Sequence, residues 1–297
     1  MSAGKLKIFF PLFGLLLMAV LSACNSPILG PVLPTITPTL VPTPTETMVP
    51  LAVSVNGEGF TQAEFDDELK RYQSAQAALG KTVSQADAIL AVRNDLIDNL
   101  LLEQGASGYK FSVDDQTLQA RVDSLAAQVG GPDALAAWES AHGYTDQSFR
   151  AALKGQIAAA WMRDQITASV PTSAEQVHVK QILLYNADEA QSVLNQLQAG
   201  ADFDTLAARY DPIAHGELGW FPRGYISESA IEEAAFTLQP GEHSAIIQTK
   251  IGYHIIEVVE RAAARPLSPD ALLTLQERAV QDWLKQRRQE SSITPIP

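Results

Sequence analysis

The chain is short of cysteine, since Cys24 is the only one among its 297 residues. A single cysteine cannot form an intrachain disulfide, and no cluster of His, Cys, Asp and Glu has the spacing of a metal site. A glycine-rich phosphate-binding loop is missing as well. The sequence therefore predicts a protein that needs neither a metal nor a cofactor.

Basic residues are also few, because 21 Lys and Arg stand against 34 Asp and Glu, for a formal net charge of −13. Residues 1–23 contain Lys5 and Lys7 and no acid, so their removal takes the charge from −13 to −15. An acidic chain of this kind is repelled by nucleic acid and by broad anionic membrane surfaces. We expect no nucleic-acid partner.

A long apolar run occupies residues 8–20, directly after Lys5 and Lys7. The run has the length of a signal-peptide core and is too short to span a bilayer comfortably. Residues 21–24, Leu-Ser-Ala-Cys, resemble the bacterial lipobox. The resemblance implies a lipoprotein signal peptide at 1–23, a lipid on the Cys24 sulfur, and an extracytoplasmic protein anchored to the cell membrane of a bacterium. The alternative, an uncleaved anchor with an incidental cysteine, places the protein on the same side of the membrane.

Residues 24–50 are rich in Pro and Thr. Proline removes backbone donors and favours an extended polyproline II chain, so this segment cannot form a core. We interpret it as a semi-rigid linker that reaches about 3 Å per residue where extended. A proline-rich ligand for a signalling domain is the alternative.

Residues 51–172 have the pattern of a helical domain. A short strand at 52–55 precedes the turn Asn56-Gly57, and Thr61 with Glu64 forms a capping-box pattern. Apolar residues at helical spacing predict helices that begin near Thr61, Ser84, Val113, Ala134 and Asp146, the second ending at Gly105. This order resembles the N-terminal chaperone domain of SurA- and PrsA-type foldases, which implies contact with unfolded or nascent exported polypeptides.

The most informative stretch runs from residue 216 to residue 260. It contains Gly-Glu-Leu-Gly-Trp-Phe-Pro-Arg-Gly at 216–224, Leu-Gln-Pro-Gly at 238–241, and Gly-Tyr-His-Ile-Ile at 252–256. In this order these pieces resemble the parvulin family of peptidyl-prolyl cis-trans isomerases. The resemblance implies an α+β protein in which residues 173–265 form a four-stranded antiparallel sheet wrapped by helices, next to the mostly helical chaperone domain.

The resemblance also implies a site for twisting X-Pro bonds. Parvulins have a histidine on the first and the last strand; His254 matches the second of these, and Gln181 stands in place of the first. Glutamine can donate and accept hydrogen bonds but cannot titrate. The family pattern places a proline-binding wall at Leu218, Phe221, Ile226 and Ile231. The short loop after the second helix leaves Asp211 as the nearest acid, which completes a predicted catalytic set of His254, Gln181 and Asp211.

Residues 266–297 predict a last amphipathic helix whose apolar face needs a partner, and we expect it to pack on the 51–172 domain. Together, these resemblances imply a lipid-anchored foldase that isomerises X-Pro bonds in exported proteins. Two other functions stay open: a holdase chaperone whose parvulin-like domain binds peptide with little catalysis, and a plain surface adaptor.

Overall fold

The computed structural model describes residues 51–294. The predicted signal peptide at 1–23, the lipidation site Cys24 and the linker at 24–50 lie outside the described residues. Within the described part, no helix is both long and apolar enough to cross a membrane.

The N-terminal region is mostly helical. Strands β1 (Leu51–Val55) and β2 (Glu58–Thr61) pair antiparallel and lead into α1 (Gln62–Ala78), α2 (Gln85–Gly108), α3 (Asp115–Val129), α4 (Pro132–Ala141) and α5 (Asp146–Ala168). The capping box is present: Thr61 N–H donates to Glu64 Oε2 at 2.8 Å, and Glu64 N–H donates to Thr61 Oγ1 at 3.3 Å. These bonds satisfy two orphan donors at the start of α1.

The prediction that Gly105 ends α2 is wrong, because the helix continues to Gly108. A Cβ at Gly105 would lie 2.8 Å from the ring of Trp283, in the last helix of the chain. Gly105 is therefore a point of close approach between two helices, where any side chain would hold the tryptophan off. The prediction from sequence mistook a packing glycine for a stop signal.

The second region is built on a sheet. It contains β3 (Ser173–Leu184), α6 (Ala187–Gln198), α7 (Phe203–Tyr210), β4 (Glu217–Pro222), α8 (Ser229–Thr237), β5 (Ile247–Gln248) and β6 (Tyr253–Pro266). The strands lie in the order β4-β3-β6-β5, and every pair is antiparallel. The predicted α+β class and four-stranded antiparallel sheet are confirmed.

Helices cover both faces of this sheet. Ile182, Leu184 and Ile255 pack with α6 and α7, whereas Val179 and Ile256 pack with α8. Side chains alternate between faces along a strand, so Gln181 shares the α8 face with Val179. The two central strands, β3 and β6, therefore hold a core on each side.

The chain returns to the helical region after the sheet. Helix α9 (Pro269–Glu290) packs on α2 and α5 through Ala279, Val280, Trp283 and Leu284. Strand β7 (Ile293–Thr294) then pairs with β1.

The sheet region enters and leaves the helical region at one point, which we call the neck (residues 172, 173, 266 and 267). Ser173 pairs with Pro266, and Leu267 N–H donates to Thr172 O at 2.9 Å. Buried Gln176 fastens the same two strands, because its side-chain amide donates to Arg265 O at 2.8 Å. The two chain crossings are thus side by side.

Glu103 of α2 is expected to give the helical region a pH-dependent stability. Its carboxylate lies against Gly155 of α5, and burial first, then the charge of Glu58, raise its pKa. An acid whose pKa is raised by folding contributes stability below its ordinary pKa and loses that contribution as the pH rises through the raised value. Glu103→Gln should therefore increase the free energy of unfolding at pH 7 by up to about 1 kcal/mol.

Denaturant unfolding at pH 4 and pH 7 measures this effect. The gain should shrink toward pH 4, and Glu277→Gln, at an exposed position of α9, is the control substitution. An equal gain at both pH values would contradict a role for the Glu103 charge.

Candidate active site

His254 and Gln181 meet on the α8 face of the sheet. In the antiparallel register of β3 and β6, Leu183 lies opposite His254 and Gln181 lies opposite Ile256. The two polar side chains are therefore diagonal neighbours, and His254 Nδ1 lies 3.1 Å from Gln181 Oε1. The imidazole is 1% exposed, so this contact is shielded from solvent.

Thr249 completes the contacts of the imidazole, with Oγ1 2.9 Å from His254 Nε2. Since Gln181 Oε1 accepts from the Nδ1–H, Nε2 is the unprotonated nitrogen and accepts from the Thr249 hydroxyl. Burial lowers the pKa of His254, and Glu228 opposes this shift, so the ring is neutral at pH 7. The three side chains form a neutral hydrogen-bonded chain.

Thr249 was missed in the sequence. The feature of the sequence that could have identified it is its position just before the tight turn at Gly252. In this turn Thr249 N–H donates to Gly252 O at 2.8 Å. This turn joins β5 to β6 and folds the threonine back over the following strand. A hydroxyl five residues before a buried strand histidine is in reach when such a turn separates them.

The four residues of the predicted wall, Leu218, Phe221, Ile226 and Ile231, lie in one apolar cluster on this face. They differ in exposure. Phe221 and Ile231 are buried, at 0% and 4% exposed, whereas Leu218 and Ile226 are half-buried. A ligand can therefore reach Leu218 and Ile226, and the other two support them from behind.

Asp211 lies outside the hydrogen-bonded chain. Its carboxylate accepts from the backbone N–H of Ala214 at 3.0 Å and of Gly216 at 3.2 Å, and these bonds lower its pKa. Gly216 O in turn accepts from Gln181 N–H at 2.7 Å. Within residues 51–294, Asp211 makes no hydrogen bond to His254 or to the Gln181 side chain. Asp211 thus shapes the loop that borders Gln181.

Gly216 is held in this loop by a positive φ of 72°. A Cβ at this position would run into the Gln181 carbonyl oxygen, so only glycine allows the loop to approach β3 this closely.

The described residues contain no group of three or more His, Cys, Asp and Glu that could hold a metal.

Two residue ranges of the chain match models of known domain families. Residues 169–260 match the PPIC-type PPIase domain, and residues 40–163 match the SurA-like N-terminal domain. The chain carries a parvulin-type peptidyl-prolyl isomerase domain behind a SurA-like domain. The resemblance seen in the sequence is confirmed. The His254–Gln181–Thr249 chain lies within the parvulin domain.

Among curated proteins, the foldase PrsA of Halalkalibacterium halodurans is 30% identical over 221 residues, which cover 70% of this chain and 64% of the relative. The chaperone SurA of Methylobacillus flagellatus is 32% identical over 146 residues, covering 42% and 33%. The chain thus spans less than two thirds of either relative. The crystal structure of PrsA from Bacillus cereus is 20% identical, with a TM-score of 0.44 over 81% of this chain and 86% of the other.

Proposed function

We propose that this protein is an extracytoplasmic foldase that isomerises X-Pro bonds in unfolded or newly exported polypeptides. The observation that carries the proposal is the buried, neutral His254, held between Gln181 and Thr249 inside a parvulin domain. The names of the relatives, foldase and chaperone, point to the same class of client.

The chemistry asks little of the site. Rotation about an amide crosses a barrier of about 18–20 kcal/mol because resonance is lost in the twisted state, and no covalent step is needed. The apolar surface of Leu218 and Ile226 would hold the proline ring and keep water from the amide. No nucleophile is required.

Gln181 would supply the polar contact. Its Oε1 is engaged by His254, and its NH₂ group donates no hydrogen bond to any of residues 51–294. This NH₂ group would donate to the prolyl nitrogen of the twisted amide, where the lone pair becomes localised as resonance is lost. His254 and Thr249 would hold the carboxamide in that orientation, which makes them positioning residues.

The whole chain would be organised around these two domains. Residues 1–23 would be removed as a signal peptide, Cys24 would carry the lipid, and residues 24–50 would hold the folded part away from the membrane. The chaperone domain would span 51–172, the parvulin domain 173–265, and the helix of 266–297 would complete the chaperone domain.

The lipid anchor is tested at Cys24. Cys24→Ser should release the protein from the membrane fraction or leave an unprocessed precursor, because the sulfur that carries the lipid is gone. Metabolic labelling with a fatty acid provides the measurement, and unchanged labelling of the variant would refute the anchor.

A holdase with little catalysis is the second candidate. It is favoured by Gln181, which cannot titrate, and by Asp211, whose carboxylate is occupied by its own loop. In this case the parvulin domain would bind proline-containing segments without turning them over.

An isomerisation assay on the full chain in mild detergent decides between the two. An active enzyme should accelerate the cis-trans isomerisation of a proline-containing peptide at least about tenfold over the uncatalysed rate. Suppression of aggregation of an unfolded client is measured in parallel. Turnover at the background rate with suppression intact would leave only the holdase.

A further inference from the structure

A cleft of about 920 Å³ opens in the helical region, far in sequence from the parvulin site. Helix α1, helix α2 and the turn between α4 and α5 form its walls, with Tyr72, Ala75, Val92, Asp95, Trp138 and Tyr144 among the lining residues. This volume lies in the range of protein ligand sites.

The aromatic wall of the cleft is preformed. Trp138 is 41% exposed, and its ring stacks on His142 at 4.2 Å between centroids. The Arg71 guanidinium lies 4.1 Å from the centre of the Tyr144 ring and donates to Gly143 O at 3.3 Å. These contacts fix the α4–α5 turn against α1, so the cleft exists without a ligand.

One carboxylate among the charged residues that line the cleft has no ion-pair partner within residues 51–294. Lys70 pairs with Asp67 at 3.1 Å, and Arg71 pairs with Glu68 at 2.7 Å. Asp95 accepts from the Asn99 amide at 3.1 Å and forms no ion pair with any residue of 51–294. Its side chain is open to the cleft.

The surroundings of Asp95 are those of an acid that lacks a cation. Partial burial in the cleft raises its pKa, and the charge of Glu68 raises it further. Arg163, whose Nη2 donates to Asn99 Oδ1 at 3.1 Å, offsets this in part. A positive group that entered the cleft would find an aromatic wall and an unmatched carboxylate.

We propose that this cleft binds an extended polypeptide segment in which Lys or Arg lies next to an apolar side chain. The inference rests on the proposed function, in that the segment would belong to an unfolded client. The chain's own linker does not fit the charge, since residues 25–50 contain Glu46 and no Lys or Arg. An anionic ligand would be repelled by Asp95.

Fluorescence anisotropy with labelled peptides on the full chain in mild detergent tests the proposal. The peptides lack proline, so they do not engage isomerisation, and they differ only in a central Arg, Gln or Glu beside leucine. The Arg peptide should bind about tenfold tighter than the Glu peptide, with Gln between them, and salt should weaken the difference.

Two variants locate the binding. Asp95→Asn, which keeps the shape of the side chain, should abolish the preference for Arg over Gln, and Trp138→Ala should weaken all three peptides. Asp164→Asn, an exposed acid on α5 that does not line the cleft, is the matched control and should retain the preference.

Three results would overturn the proposal. One is the absence of binding, and another is a preference for Arg that persists in Asp95→Asn. The third is binding that appears only after residues 1–50 are removed, since this would assign the cleft to the linker. Isomerase turnover is measured on the same samples. Binding of the Arg peptide without isomerase turnover would contradict the proposed enzyme and support the cleft as a binding site. Turnover without binding of the Arg peptide would contradict only the proposed cleft site.

Discussion

Truncating the chain after Arg265 is expected to destabilise the helical region by several kcal/mol. The truncation removes α9, whose Trp283 and Leu284 pack against two buried clusters of that region. Burial of apolar surface contributes about 25 cal/mol per Å², and whole domains are stable by only about 5–15 kcal/mol. Denaturant unfolding followed by far-UV circular dichroism measures the loss.

A single substitution separates packing from chain length. Trp283→Ala should cost about 2–3 kcal/mol, since the half-buried ring fills the space left open by Gly105. Leu273 lies on the same helix but is 56% exposed, so Leu273→Ala should change stability by less than about 0.5 kcal/mol. Equal effects of the two substitutions would show that α9 does not support the helical region through Trp283.

Replacing His254 is expected to have the largest effect on turnover. His254→Ala removes the group that orients Gln181, and kcat/KM should fall about tenfold to a hundredfold, or about 1.4–2.8 kcal/mol in barrier. Gln181→His, which restores the usual family residue, should maintain or raise the activity. Thermal unfolding of each variant shows whether the parvulin domain stays folded, because His254 is buried.

The pH profile adds a second measure of the same site. Because burial lowers the pKa of His254 below its ordinary 6.5, the ring is neutral above that pH and the activity should be flat there. It should decline only at lower pH, where protonation of Nε2 removes the acceptor for Thr249. A steep change between pH 6.5 and 8 would contradict a neutral His254 at the site.

The sequence predicted most of the fold because its signals are local. Caps, turns and apolar periods marked the helices, and the glycine and proline punctuation of 216–260 marked the parvulin domain. The pairing of Gln181 with His254 followed from the antiparallel first and last strands of the family. Contacts between residues far apart in the sequence could not be predicted from these local signals.

Three residues show why. Gly105 looked like a helix stop, and only the approach of Trp283 reveals its role. Thr249 needed the geometry of the β5–β6 turn to reach His254. Asp211 stood near the motif, but whether its carboxylate faces a substrate or its own loop depends on the loop conformation. In each case tertiary geometry decides the role of a residue that local pattern leaves open.

Because the chain enters and leaves the parvulin domain at the neck, we expect that this domain can be removed or replaced as one unit. Its two ends are already joined by the Leu267–Thr172 hydrogen bond, so we expect that a short loop can replace residues 173–266. The replacement would remove the contact in which Arg278 of α9 donates to Gly224 O at 3.0 Å. Another parvulin domain with adjacent ends can be inserted at the same two positions. Recombination at this point would therefore exchange the parvulin domain in one step and keep the packing of α9 on α2 and α5, so the parvulin domain and the SurA-like domain can evolve at different rates within one chain.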